Sequence, residues 1–92
     1  MKFVPAALLE WQDLDGSVKE VFRKLLRKRL DTPRIPGAEL RGDLKDCYKI
    51  KLLRQGYRLI YLVEDIEMVV LVLAVAKREN SEAYRKASRR KL

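Results

Sequence analysis

Nine consecutive apolar residues, Met68 to Ala76, constrain the fold of this chain more than any other feature. The run is about half as long as a membrane-crossing helix requires. It also lacks the alternation of apolar and polar side chains that marks a strand with one wet face. A strand without alternation is covered on both faces, so the run reads as the central strand of a sheet. The remainder of the 92 residues must supply its neighbours and its cover.

The neighbours precede it. From Tyr48 the apolar period is two, with Tyr48, Ile50 and Leu52 on one face and Lys49, Lys51 and Leu53 on the other. Gln55-Gly56 is a turn signal, and Tyr57 to Val63 reads as the returning strand of a hairpin. Glu64 to Glu67 turn the chain again, into the apolar run. Lys2-Phe3-Val4, closed by Pro5, is a further short strand.

Cover comes from the N-terminal third. Residues 6–14 carry Leu8, Trp11 and Leu14 at helical spacing with Ala7 beside them. Gly16 interrupts, Ser17-Val18-Lys19-Glu20 has the form of a capping box, and Val18, Val21, Phe22, Leu25, Leu26 and Leu30 make one stripe on a second helix. Two helices so closely joined imply a helical hairpin packed on one face of the sheet. Pro33, Pro36 and Gly37 end the second helix, and residues 38–42 read as a loop or short edge strand. Asn80 or Ser81 can cap a last, strongly basic helix over 81–91. The expected fold is a single α+β domain over 1–92, in the order β-α-α-β-β-β-α, with a largely antiparallel sheet.

Charge narrows the function. With 21 Lys and Arg against 13 Asp and Glu, the net charge is +8, which draws the protein to polyanions, nucleic acid first. An acidic partner chain would be drawn in the same way. There is no histidine, and Cys47 stands alone, so neither an intramolecular disulfide nor a Cys/His metal cluster can form. Cys47 reads as a small, partly buried residue at a strand edge, and no metal or other cofactor is expected. The N-terminus lacks the apolar run of a signal peptide, which implies a cytoplasmic protein with no membrane partner.

Any chemistry must therefore be run by Lys, Arg, Tyr or carboxylates, and the hairpin gathers such a set. A two-residue loop at Gln55-Gly56 pairs Leu53 with Arg58, Lys51 with Ile60 and Lys49 with Leu62. Lys49, Lys51 and Arg58 then share a face, with Arg58 diagonal to Lys51. A loop longer by one residue would send Arg58 to the opposite face. Lys77 and Arg78 follow the buried strand and precede a helix N-terminus, where backbone N–H groups favour anions. Tyr84, one turn into that helix, can reach back over the same patch. Tyr48, Tyr61, Trp11 and Phe22 lie on apolar stripes and read as core, while Tyr57 borders the turn. Arg41, Lys77, Arg85, Arg89 and Arg90 complete the basic surface expected to hold phosphates.

The chain resembles the RelE family of toxin–antitoxin ribonucleases over nearly its whole length. The resemblance is densest in Leu40-Arg41-Gly42, Asp46-Cys47-Tyr48-Lys49-Ile50-Lys51, Gly56-Tyr57-Arg58-Leu59-Ile60-Tyr61, and Lys77-Arg78-Glu79 with Ser81-Glu82 and Tyr84. It implies a toxin that enters the A site of the 70S ribosome and cuts the mRNA codon there without a metal. The family's functional residues carry over to Lys49, Lys51, Arg58, Arg78 and Tyr84. It also implies contact with rRNA and a RelB-like antitoxin that silences the toxin, with operator DNA reached only through that antitoxin. Two departures stand out: Asn80, where relatives often have a basic residue, and a slightly longer loop at Asp43-Leu44-Lys45.

Cleavage by the RNA's own 2′-hydroxyl needs a base, charge stabilisation at the phosphoryl oxygens and protonation of the leaving 5′-oxygen. Lys and Tyr titrate near about 10, so one must be depressed to act as the base. A cluster of cations does this, because like charges disfavour protonated lysine and favour tyrosinate. The expected roles are Lys49 and Arg58 on the scissile phosphate, Lys51 or Tyr84 as base, and Arg78 on the developing charge. Two other readings compete: a ParE-like gyrase poison of the same superfamily, and a non-catalytic basic RNA-binding module.

Overall fold

The computed structural model describes residues 1–67, 69–79 and 81–91. Its elements run β1 (Lys2–Phe3), α1 (Pro5–Gln12), α2 (Gly16–Asp31), β2 (Cys47–Leu52), β3 (Tyr57–Glu64), β4 (Val69–Lys77) and α3 (Glu82–Arg90), with a short 3-10 turn at Gly42–Leu44. The sheet order is β1-β4-β3-β2, so the apolar strand is internal. Its β3 and β2 neighbours are antiparallel in succession, and only the two-residue β1 is parallel. Met68, the expected start of the central strand, and Asn80, one of the two expected caps, lie outside the described residues.

Both faces of the sheet are covered, as the unbroken apolar run requires: the N-terminal helices lie on one and the basic C-terminal helix on the other. Val18, Phe22 and Leu26 of α2 meet Tyr48, Ile50, Leu59, Tyr61 and Val63 on the first face. Ala83 and Ala87 of α3 meet Cys47, Ile60, Leu73, Ala74 and Ala76 on the second. A strand with no polar residue on either side requires this arrangement. Cys47 is accordingly fully buried rather than partly so. Trp11 links the two N-terminal helices, its ring 5.5 Å from that of Phe3 and 6.1 Å from that of Phe22. Ala7 and Leu14 are buried as the spacing implies, whereas Leu8 is exposed.

The second helix begins at Gly16, one residue before the expected cap. Asp15 holds the N-cap position in an extended conformation, and the Ser17 hydroxyl donates to Asp15 Oδ2 at 2.8 Å instead of closing a capping box. At its far end Arg29 donates to the Tyr61 hydroxyl at 2.9 Å and to the Lys49 carbonyl at 3.2 Å, while that hydroxyl donates to the Pro33 carbonyl at 2.7 Å. Tyr61 is thereby a buried phenol with its polar end satisfied, as burial demands.

Two local irregularities decide what the sheet presents. The β2–β3 turn spans Leu53 to Gly56, with Gly56 at φ 76° and its N–H on the Leu52 carbonyl at 2.8 Å. The turn is two residues longer than expected, so Lys51 pairs with Arg58 and Lys49 with Ile60. An even shift preserves which face each side chain takes, and Lys49, Lys51 and Arg58 remain together. The second irregularity is a bulge in β4. Ile60 pairs with Ala74 and Tyr61 with Val72, leaving Leu73 without a partner on β3. Leu73 and Ala74, adjacent in sequence, therefore face the same way, toward α3.

Candidate active site

Past the bulge the facing of β4 is inverted. Val75 turns to the α2 side and Ala76 to the α3 side. Lys77, opposite Tyr57, continues on the α2 side, away from the hairpin cations. The following residue, Arg78, is held against the hairpin turn by its backbone N–H on the Gly56 carbonyl at 3.0 Å. Without the extra residue the strand would deliver Lys77 to this face instead.

Arg78 thus joins Lys49, Lys51 and Arg58. The Lys51 ammonium is held below the ordinary lysine range, first by the charge of Lys49, then by partial desolvation and by the charges of Arg58 and Arg78. Tyr84 closes the group from α3: the Arg58 guanidinium lies 4.5 Å from the centre of its ring. That contact is attractive. The Nε atoms of Arg58 and Arg78 are buried without a hydrogen-bond partner. A buried donor left unpaired is costly; two arginines beside two lysines also make a strongly positive surface that favours an anion.

The set can do three things. Four cations can hold a phosphate and stabilise charge that develops on it. Lys51 carries a lowered proton affinity, the condition for a lysine to accept a proton near neutrality. Tyr84 offers an aromatic face beside a phosphate seat. Among the described residues no three carboxylates or thiols lie close enough to hold a metal ion.

The other expected phosphate contacts fall elsewhere. Arg41 is exposed at the start of the 3-10 turn, and Arg85 and Arg89 are exposed on α3. Lys77 is exposed on the far face for the reason given above. Arg90 is engaged within the fold. It is half-buried and grips Glu10 of α1 through two bonds, 2.7 Å to Oε1 and 3.1 Å to Oε2. Sequence reasoning passed over Glu10. The signal was there: it is the one charged residue in Pro5–Gln12, facing an excess of cations elsewhere.

The model of the family described as ParE toxin of type II toxin–antitoxin system, parDE, matches residues 1–82. The class is therefore that of the toxin halves of type II toxin–antitoxin modules. Within it, the chain is 51% identical over 90 residues to a RelE-like toxin protein of Escherichia coli, covering 98% of this chain and 94% of the relative. It is 48% identical, with the same coverage, to the mRNA interferase toxin RelE of Escherichia coli K12. The chain belongs to the RelE family of these toxins. A solved structure of E. coli RelE in the free state, with two arginines changed to alanine, superposes with a TM-score of 0.90 at 47% identity, over 99% of this chain and 95% of that one. The intact E. coli RelBE toxin–antitoxin complex aligns at a TM-score of 0.81 and 47% identity, over 86% of this chain and 95% of that one.

Proposed function

We propose that this chain is a ribosome-dependent endoribonuclease that cuts mRNA in the ribosomal A site and so arrests translation. The observation that carries the reading is the convergence of Lys49, Lys51, Arg58 and Arg78 under Tyr84, with the proton affinity of Lys51 lowered by its neighbours. The name mRNA interferase borne by a relative 48% identical supports it.

In the proposed reaction Lys51 Nζ takes the proton of the 2′-hydroxyl, and the 2′-oxygen attacks the adjacent phosphorus. Lys49 and Arg58 hold the non-bridging oxygens as negative charge builds on them. Arg78 stabilises that charge and hydrogen-bonds the departing 5′-oxygen, which takes its proton from a water molecule. The products are a 2′,3′-cyclic phosphate and a free 5′-hydroxyl. Arginine stays protonated throughout, so it suits the electrostatic part rather than the basic one. Tyr84 orients Arg58 and offers a stacking face to a base.

A lysine is a weaker base at neutral pH than a histidine, and the ribosome compensates by holding the mRNA in line for attack. Positioning of that kind contributes up to about 7–11 kcal/mol. Free RNA should be cut poorly. Arg41, Arg85 and Arg89 are proposed to touch rRNA. A RelB-like antitoxin is the proposed partner, supported by the complexes of E. coli RelE with RelB. Through it the toxin would reach operator DNA and take part in autorepression in the cytoplasm.

The experiment is primer extension on ribosomes programmed with an empty A site, with naked mRNA alongside. A cut inside the A-site codon that requires the ribosome supports the reading. Absence of any cut, with folded and antitoxin-free protein, sinks it. Inhibition of gyrase or plain salt-sensitive RNA binding would then identify which alternative holds.

A further inference from the structure

From the geometry of the α1–α3 contact we infer that Glu10 is a positioning residue for the cleavage site, an inference that rests on the ribonuclease reading above. Glu10 lies on a different element from every residue of the cationic cluster, yet it is bonded to the two features that deliver Arg78 and Tyr84 there.

The first feature is the β4 bulge. β1 is too short to cover β4 beyond Val72, so the strand's outer edge is open where the bulge falls. Two backbone groups there find partners in side chains. The N–H of Val75 donates to Glu10 Oε1 at 3.1 Å, and the carbonyl of Leu73, the bulged residue, accepts from Arg90 Nη1 at 3.0 Å. Glu10 and Arg90 are themselves a bidentate pair. The pair therefore plugs the bulge, satisfying the groups that an irregular ladder leaves unmatched. The bulge inverts the facing of β4 and brings Arg78 instead of Lys77 to the site.

The second feature is α3. Its nine residues bury only Ala83 and Ala87 in full, too little apolar area and too few turns for a helix to hold by itself. It also carries four Lys or Arg among those nine. Glu10 Oε2 accepts from Lys86 Nζ at 2.9 Å as well as from Arg90, so one carboxylate ties two successive turns of the helix to α1. Glu10 is largely shielded from water, with 17% of its side chain exposed, and its neighbours are 21% and 24% exposed. At that burial a carboxylate shared by two cations holds geometry better than a surface pair does. The helix so held is the one that lays Tyr84 on Arg58.

The test uses Glu10→Gln, which keeps an oxygen for Val75 but removes the charge that ties Lys86 and Arg90 to α1; Lys86 keeps its second partner, Glu82, on its own helix. Single-turnover cleavage on saturating programmed ribosomes should fall between about tenfold and a hundredfold, the scale of a small misplacement of reacting groups. Ribosome affinity should stay within about twofold, because the surface cations remain. In the same variant the side-chain NMR signals of Arg58 should lose the ring-current shift imposed by Tyr84, and the Val75 amide should exchange faster. Arg90→Gln should reproduce these effects, and the double variant should be no slower than either single one.

Wild-type cleavage in Glu10→Gln with unmoved Arg58 signals would overturn the inference. So would losses in the two single variants that multiply in the double, since a shared function cannot be lost twice. If Glu10→Gln does not fold, Arg90→Gln and Lys86→Gln carry the same readouts. The NMR arm needs no activity. A wild-type protein that never cuts RNA, with Arg58 shifted in Glu10→Gln, would sink the ribonuclease reading while leaving the structural coupling intact.

Discussion

Lys51 and Arg58 are direct cross-strand partners, two cations at the closest lateral spacing that a sheet offers. Like charges so placed destabilise a sheet, and the longer β2–β3 turn makes the opposition direct where a two-residue turn would have left it diagonal. The repulsion has a use if an anion settles between them.

It follows that Lys51→Met should raise the melting temperature while cleavage drops. Thermal unfolding at low ionic strength and cleavage on ribosomes are the two measurements. A variant that melts at or below the wild-type temperature would show that the pair is not under electrostatic stress. Added phosphate should narrow the difference, because it screens the pair in the wild type alone.

The same charges set a pH dependence. Lys51 must be unprotonated to act as the base, and Lys49, first among its neighbours, pulls its pKa below the ordinary lysine value. Cleavage should therefore rise with pH and level off above an apparent pKa that lies lower than an isolated lysine's. For stability the sign agrees. The folded state disfavours the protonated ammonium, so the penalty is present at neutral pH and fades as pH rises through the lowered pKa. Lys49→Met should move the cleavage profile to higher pH. A profile that does not move would assign the base elsewhere.

Adjacent residues should behave oppositely. Arg78→Ala is expected to cost about 10²–10³ in the cleavage rate, the scale of a lost charge-stabilising donor, with ribosome binding retained. Lys77→Ala, on the other side of the sheet, should cut at close to the wild-type rate. The contrast is read by single-turnover cleavage of both proteins under one condition. Equal losses would mean that the bulge does not decide which of the two reaches the RNA.

Behind the sheet, Tyr61→Phe should destabilise the fold by about 1–3 kcal/mol, because Arg29 and the Pro33 carbonyl each lose a buried partner. Urea denaturation measures this directly. A change near zero would indicate that water replaces the phenol.

Much of this was legible in the residues. The unbroken run ending at Ala76 required a central strand, and the period of two from Tyr48 put Lys49 and Lys51 opposite the helical stripe of Phe22 and Leu26. Face survived an error in register, because the turn at Leu53 to Gly56 is longer by an even number of residues. The facing of Lys77 and Arg78 could not be read, since the bulge at Leu73 inserts one residue into a stretch of uniformly apolar side chains. In such a stretch every facing looks alike. Nor could the partners of Arg90 and Glu10 be found, because 80 positions separate them and only the fold brings α1 beside α3. Helix 81–91 read as a basic surface for RNA, and two of its cations, Lys86 and Arg90, are bonded to Glu10.

A sheet edge that ends in a two-residue strand is an invitation to a neighbouring molecule. Here the stretch of β4 beyond β1 is closed by a carboxylate and a guanidinium, and an approaching strand would have to displace a charged pair before it could bond. The plug that steadies the site is thus also a guard against self-association. A molecule whose last helix has come away would lose the geometry of the site and the guard on its sheet edge in a single event. Light scattering of Glu10→Gln, rising above the wild type at equal concentration, is the sign of that second loss.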